Sequence, residues 1–151
     1  MSVPIEWHRN TAEQWQRYTA SGHIPHALLL AGPAGVGKRD FADTLAAGLL
    51  CEQAVPDPMG LLPATGCGEC RGCRQRLAGS HPDLQLLQVP DGKKQIAIDQ
   101  VREAIQRLQL STHAGGYKVL IVDVIIQAKG TKGYFEQAPI VDEFFGSINF
   151  R

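Results

Sequence analysis

The sequence has no excess of charge of either sign, because 15 Lys and Arg residues balance 15 Asp and Glu residues. A domain that binds nucleic acid on its own usually carries a basic excess, so any DNA contact would need local charge or partner subunits. No apolar run approaches the roughly 20 residues that cross a membrane, and residues 1–7 lack the pattern of a secretory signal. We therefore expect a cytoplasmic protein that is not attached to a membrane.

Cysteine is also scarce, with four residues in a chain of 151. In a cytoplasmic protein, cysteines are kept as free thiols or as metal ligands rather than as disulfides. The remaining composition is ordinary, since 44% of the residues are hydrophobic and 20% are charged. A chain of this length and composition predicts one globular domain with a hydrophobic core.

The four cysteines form one compact pattern. Cys67, Cys70 and Cys73 have the spacing C-x2-C-x2-C, and Cys51 lies sixteen residues before Cys67. Four thiolates can close a tetrahedral Zn²⁺ site with no open position for water, which is typical of a structural site. An iron–sulfur cluster and four unconnected thiols are the alternatives. We favour structural zinc because the pattern uses every cysteine in the chain.

A degenerate phosphate-binding loop occupies residues 32–39. The motif G-x-x-x-x-G-K-[ST] is matched up to its last position, where the chain has Arg39 instead of a hydroxyl residue. In a working loop the hydroxyl ligates Mg²⁺, whereas a guanidinium group has no acceptor atom and cannot ligate a metal. We therefore expect a nucleotide-hydrolase fold that no longer hydrolyses. The candidate nucleotide-binding residues are Gly32, Gly35, Gly37, Lys38 and Arg39.

Hydrophobic patterns place this loop in an α/β context. Residues 26–31 form a short apolar run that predicts a buried parallel strand, and residues 41–50 have the spacing of an amphipathic helix. Residues 84–89 and 119–123 predict two further strands, joined by a helix that Asp99 is expected to cap. The alternation of strands and helices predicts a parallel sheet with right-handed crossovers.

Asp123 ends the last of these predicted strands. In a phosphate-loop hydrolase an acid at this position holds Mg²⁺, usually beside a glutamate, whereas here Val124 follows. The alternative is a carboxylate that caps the turn after the strand. With Arg39 in the loop we favour the turn cap, and we keep Asp123 as a candidate nucleotide-site residue.

Several segments occur in an order that resembles one protein family. They are residues 25–32, the degenerate loop, the four cysteines after its helix, residues 80–83 and residues 118–123. Together they resemble the N-terminal AAA+ domain of delta-prime subunits of the bacterial DNA polymerase III clamp loader. The gamma/tau subunits share the cysteine pattern, but they are active ATPases and should carry Thr at position 39, so Arg39 favours the delta-prime type.

This resemblance implies a role and a set of partners. Delta-prime subunits act as a largely non-hydrolysing stator in the assembly that places the sliding clamp on primed DNA during replication. The resemblance also implies that the four cysteines hold a structural zinc ion. Little or no hydrolysis is expected, whereas binding of ATP and Mg²⁺ to the degenerate loop is left open. The expected partners are the gamma/tau and delta subunits, with the sliding clamp and primer–template DNA contacted only indirectly.

The resemblance covers about residues 5–123. The expected organisation is a partial AAA+ P-loop domain over residues 1–123, with a zinc module within residues 51–73, followed by an unmatched tail at residues 124–151. The family's fourth strand, which lies between the first and third strands, and its Ser-Arg-Cys arginine finger have no counterpart in this sequence. The parallel sheet is therefore expected to be incomplete unless the tail supplies a strand, for which residues 139–145 are the candidate.

Two other functions fit the same residues. The chain could be a gamma/tau-type ATPase that tolerates Arg39 and holds Mg²⁺ through Asp123 and water alone. It could also be a zinc-stabilised fragment that has no function of its own.

Overall fold

Four helices and two strands are formed in the part of the chain that the structure describes. The structure is a computed structural model, and it describes residues 9–30, 35–56, 64–93, 95–113 and 116–123. In chain order the elements are α1 (Arg9–Ala20), α2 (Lys38–Leu50), α3 (Arg71–Leu77), β1 (Leu84–Gln88), α4 (Ile98–Gln109) and β2 (Val119–Asp123). None of these helices is both long and apolar enough to cross a membrane.

The two strands form a parallel pair. Leu84 of β1 lies opposite Val119 of β2, and Gln88 lies opposite Asp123. Parallel neighbours need a crossover of about a dozen residues or more, and α4 lies within the segment that joins them. Both strands are where the apolar runs predict them. They are less buried than such runs indicate, because Leu87 alone among their ten residues is buried, and Leu86 and Val122 are 43% and 44% exposed.

The main buried cluster joins α1 to α2. Trp15 of α1 is 7% exposed and Phe41 of α2 is 2% exposed, and both lie in one cluster with Ala12 and Leu45. Phe41 and Leu45 are one helical turn apart and therefore share a face of α2. Large aromatic side chains bury more apolar area than any others, so this cluster is the principal anchor of α2.

The first predicted strand is wrong. Residues 26–30 form no strand, and Leu28 and Leu29 are 39% and 62% exposed rather than buried. A buried strand needs hydrogen-bonded neighbours for its backbone groups, and within the described ranges β2 pairs only with β1. Residues 26–30 consequently have no ladder to join. Residue 31 and the candidate strand at residues 139–145 lie outside the described residues.

The predicted cap of α4 is also wrong. The helix is capped by Ala97, whose side chain has no acceptor, and the Oε1 atom of Gln100 accepts the Ala97 N–H at 3.0 Å. A side chain in the first turn therefore takes over the role that was expected of Asp99. Asp99 itself lies within the first turn, where a negative charge suits the helix dipole, and pairs with Arg102 at 3.5 Å.

A buried carboxylate fixes the beginning of both strands. Asp83, directly before β1, is 2% exposed, and each of its carboxylate oxygens lies 3.0 Å from the N–H of His113. The Asp83 N–H donates to Nδ1 of His81 at 3.1 Å, and the Asp83 carbonyl accepts the N–H of Val119 at 2.8 Å. This network ties the start of β1 to the start of β2 and was not foreseen from the sequence.

Replacing Asp83 by Ala is expected to lower the free energy of unfolding by about 2 to 4 kcal/mol, because the His113 N–H loses a charged acceptor. Denaturant titration followed by circular dichroism measures the change. Asp91→Ala is the control, since Asp91 is exposed in the turn after β1, and it should stay within about 0.5 kcal/mol of the native chain. Equal losses in the two variants would contradict the role given to Asp83.

Candidate metal centre and degenerate phosphate loop

The structure brings the four predicted cysteines together. Their sulfur atoms all lie within 4.8 Å of one another, and the sulfur atoms of Cys51 and Cys70 are 3.8 Å apart. Four sulfurs bound at about 2.3 Å to a tetrahedral Zn²⁺ ion would be separated by about 3.8 Å. The cluster thus has the size and the ligand set of a tetrahedral metal site, and these residues could bind a metal ion.

Two helix ends and one tight turn position the sulfur atoms. Cys51 is the C-cap of α2, Cys70 is the N-cap of α3, and Cys73 lies in the first turn of α3. Gly68, between Cys67 and Cys70, has a φ of 82°, a left-handed conformation that glycine adopts at little cost. The two-residue spacers therefore place three cysteines around one turn, as their spacing indicates.

Backbone N–H groups point at the sulfur atoms. The N–H of Cys67 donates to Cys51 at 3.3 Å, and the N–H of Cys70 donates to Cys67 at 3.4 Å. The N–H of Cys73 donates to Cys70 at 3.3 Å and is the main reason that the pKa of Cys70 is lowered to about 6. The Cys70 N–H likewise lowers the pKa of Cys67. These hydrogen bonds favour the thiolate, which is the form that binds metal.

Cys73 differs from Cys67 and Cys70, whose pKa values are lowered. It is 1% exposed, and burial raises the pKa of its thiol to about 12. A metal ion must displace this proton, so binding is expected to release protons and to weaken as the pH falls. Burial of Cys73 thus opposes the thiolate form that metal binding needs, and a bound cation would offset this cost.

Gly72 allows α3 to approach the end of α2. Its N–H donates to Oε1 of Glu52 at 3.2 Å. A β-carbon at Gly72 would lie 2.6 Å from the carbonyl oxygen of Leu50 and 3.5 Å from Nε2 of His81. The first of these distances is shorter than a real contact allows, so a side chain here would push α3, and with it Cys73, away from Cys51.

The described part of the phosphate loop leads directly into α2. Gly35 and Gly37 have φ values of 81° and 78°, and Gly37 is the N-cap of the helix. Lys38 and Arg39 are its first two residues, at the end where the helix dipole favours negative charge. Gly32, the remaining glycine of the motif, lies outside the described residues.

Arg39 and Asp123 meet across the fold. The Nη1 atom of Arg39 lies 3.3 Å from Oδ2 of Asp123, although 84 residues separate them, and Nε donates to Oδ2 of Asp43 at 2.9 Å. Neither the metal-holding nor the turn-capping interpretation of Asp123 includes this ion pair. The sequence does contain one indication of this ion pair. In a working phosphate-loop site the residues at positions 39 and 123 bind the same Mg²⁺ ion and therefore lie close together.

Comparison with known sequences places the chain in a family. The sequence profile of "DNA polymerase III, delta subunit" matches residues 7–129, a range that contains both candidate sites. The chain belongs to this DNA polymerase III family. The match extends six residues beyond Asp123, where the resemblance read from the motifs stops.

Several members of known identity are similar to the chain. The delta-prime subunit of Pseudomonas aeruginosa is 37% identical over 109 residues, which are 72% of this chain and 31% of that protein. The delta-prime subunit of Escherichia coli is 35% identical over 116 residues, 77% and 33% of the two chains. The tau subunit of Salmonella typhimurium is 33% identical over 104 residues, 69% and 15%. The chain thus spans about a third of the length of these delta-prime relatives.

The purified chain is expected to bind about one metal ion and to melt cooperatively, and a strong chelator should abolish both, because metal binding and folding are linked. Cys73→Ser should lose stoichiometric binding, since it removes the buried ligand. Elemental analysis and thermal melting measure the two effects. Glu52→Gln is the control, because Glu52 contacts the module without being part of the sulfur cluster. A metal-free native chain that melts cooperatively would contradict the prediction.

Gly72→Ala is expected to destabilise the chain and to weaken metal binding. Replacing glycine by alanine within a helix usually stabilises the helix by up to about 1 kcal/mol. A lower melting temperature of Gly72→Ala would therefore be opposite to the effect of helix propensity. Melting and competition with a chromogenic chelator measure the two effects. Gly116→Ala is the matched control, since a β-carbon there meets no atom within 4 Å. A Gly72→Ala chain as stable as the native one would show that α3 does not need the close approach.

Proposed function

We propose that this chain provides the N-terminal AAA+ part of a delta-prime-type clamp-loader subunit. In this role it is a largely non-hydrolysing stator of the DNA polymerase III holoenzyme while the sliding clamp is loaded during DNA replication. The observation that carries the proposal is Arg39 at the metal-ligand position of the phosphate loop, in a chain that matches this family over residues 7–129. A delta-prime-type subunit needs the fold of the nucleotide site but does not need to hydrolyse ATP.

The proposed architecture is a P-loop α/β domain of AAA+ type with an inserted metal module. The degenerate loop before α2 and the parallel pairing of β1 with β2 support it. The partial AAA+ domain would cover residues 1–123, and the module would lie within residues 51–73, between α2 and β1. The family profile extends to residue 129, so the tail outside the matched part would be residues 130–151 rather than 124–151.

The metal proposed for the four cysteines is Zn²⁺ in a structural role. Four protein thiolates leave no position for a catalytic water molecule. The sulfur atoms converge to within 4.8 Å of one another, as they do around a single ion. The four thiolates of an iron–sulfur cluster are distributed over two or four iron atoms, so not all of them can come this close to one another. The compactness of the site therefore favours one zinc ion.

Absence of hydrolysis is proposed from the geometry at Arg39. In a phosphate-loop hydrolase, Mg²⁺ bridges the β- and γ-phosphate oxygens and is held by the loop hydroxyl and the acid at the strand end. Here the hydroxyl is replaced, and the guanidinium group lies 3.3 Å from the acid, Asp123. A nucleotide bound near Lys38 would therefore lack the metal ion that transfer of its γ-phosphate requires.

A gamma/tau-type ATPase is the second candidate function. It is favoured by the similarity to the tau subunit of Salmonella typhimurium, which is 33% identical over 104 residues. In that case Mg²⁺ would be held by Asp123 and water, and the contact between Asp123 and Arg39 would have to open.

The proposed partners are the gamma/tau and delta subunits, in the cytoplasm. The relatives named above are themselves delta-prime and tau subunits of DNA polymerase III. The sliding clamp and primer–template DNA would be reached through these partners. A net charge of zero supports indirect contact with DNA, because a direct binder normally carries a basic excess.

ATP turnover and subunit binding, measured on the same preparations, test the proposal. The native chain should co-elute with gamma/tau or delta and show no turnover above buffer with ATP and Mg²⁺. Arg39→Thr restores the hydroxyl and should raise turnover if the loop is otherwise competent. Adding Lys38→Ala to Arg39→Thr should remove that gain, because the lysine contacts the β- and γ-phosphates.

Two results would change the proposal. Turnover by the native chain that Lys38→Ala abolishes would favour the gamma/tau-type ATPase. A folded, metal-bound chain that binds none of these subunits would contradict the clamp-loader role.

A further inference from the structure

The guanidinium group of Arg39 meets two carboxylates that come from different elements. Its Nε atom donates to Asp43 at 2.9 Å, and its Nη1 atom lies 3.3 Å from Asp123. Asp43 lies one turn further along α2, whereas Asp123 is the last residue of β2. A single cation therefore joins the beginning of the helix to the end of the strand.

This contact is partly shielded from solvent. The side chains of Arg39 and Asp43 are each 34% exposed, and that of Asp123 is 43% exposed. Partial burial weakens the screening of charge by water, and the planar fork of Arg can address two acceptors at once. The pair of Arg102 and Asp99 on α4 is different, because its side chains are 73% and 92% exposed and such pairs contribute little.

The guanidinium group is a cation that both carboxylates contact. Without it, the negative charges of Asp43 and Asp123 would lose this shared partner and would repel each other, which is unfavourable. Mg²⁺ is bound in proteins through one or two carboxylates and keeps several water molecules. The pair of Asp43 and Asp123 therefore has the chemistry to accept a divalent cation when no guanidinium group occupies the space.

We propose that the Arg39 guanidinium is a built-in cation that takes the place of a divalent metal ion between α2 and β2. It holds Asp43 and Asp123 without Mg²⁺ and keeps metal away from Asp123. Removing it exposes a divalent-cation site made by the two carboxylates. The inference concerns this junction alone and does not depend on the clamp-loader role.

Mn²⁺ binding to the full chain, with its cysteine site filled, tests the inference by electron paramagnetic resonance. The signal of free Mn²⁺ should not change with the native chain or with Arg102→Gln, the control that removes an exposed ion pair. Arg39→Gln should take up about one Mn²⁺ per chain, and Mg²⁺ should compete. Adding Asp123→Asn to Arg39→Gln should weaken that uptake by at least about tenfold, because one ligand charge is lost.

Thermal melting provides a second measurement on the same variants. Arg39→Gln should melt roughly 2 to 8 °C below the native chain in the absence of divalent cations, and saturating Mg²⁺ should restore the midpoint. The melting midpoint of the native chain should not respond to Mg²⁺. If Arg39→Gln is unfolded without metal, recovery of its folded signal on adding Mg²⁺ supports the inference.

Arg39→Lys is a second variant, which we expect to fold even if Arg39→Gln does not. Lysine retains the charge but acts as a point donor without the fork, so Mn²⁺ uptake should lie between those of the native chain and Arg39→Gln. Equal Mn²⁺ binding by the native chain and Arg39→Gln would overturn the inference. A folded Arg39→Gln chain that binds no Mn²⁺ would also overturn it. If Arg39→Gln is unfolded and Mg²⁺ does not restore its fold, an Arg39→Lys chain that binds no Mn²⁺ would overturn it as well.

Discussion

The burial of one face of α2 is the interaction on which both candidate sites depend. Phe41 and Leu45 pack in one cluster with Ala12 and Trp15 of α1. The helix has 13 residues and is therefore about 20 Å long. Arg39 lies in its first turn, and Cys51 caps its last turn. Packing of this helix in the core therefore positions both the ion pairs of Arg39 and the cysteine cluster.

The two ends of α2 place different demands on their surroundings. A cation in the first turn of a helix opposes the helix dipole, so Arg39 needs nearby negative charge, which Asp43 and Asp123 provide. At the other end, Cys51 lies in the sulfur cluster with Cys73 of α3. Burial raises the pKa of the Cys73 thiol to about 12, so a nearby cation would favour its charged form. The beginning of α2 is thus completed by a carboxylate of β2, and a bound cation would complete its other end.

The sequence predicts those parts of the structure that local spacing determines. The cysteine cluster, α2, β1 and β2 follow from spacing and apolar runs that a short segment contains. Residues 26–30 form no strand, because a strand needs hydrogen-bonded neighbours, and the described segments contain none on the other side of β2. The pairing of Arg39 with Asp123 spans 84 residues, and the carboxylate of Asp83 accepts the N–H of His113, 30 residues away, so neither contact has a local pattern.

The exchange of a hydroxyl for a guanidinium group at position 39 separates the fold of the nucleotide site from its chemistry. In a working site the hydroxyl and the strand-end acid act through the metal ion that they share, so loss of the hydroxyl alone would leave the acid without its cation. An arginine supplies that positive charge permanently and within the chain. Its contact with Asp123 keeps the beginning of α2 beside the end of β2. On this proposal, the residue that replaces the metal ligand also takes the place of the metal ion at this junction.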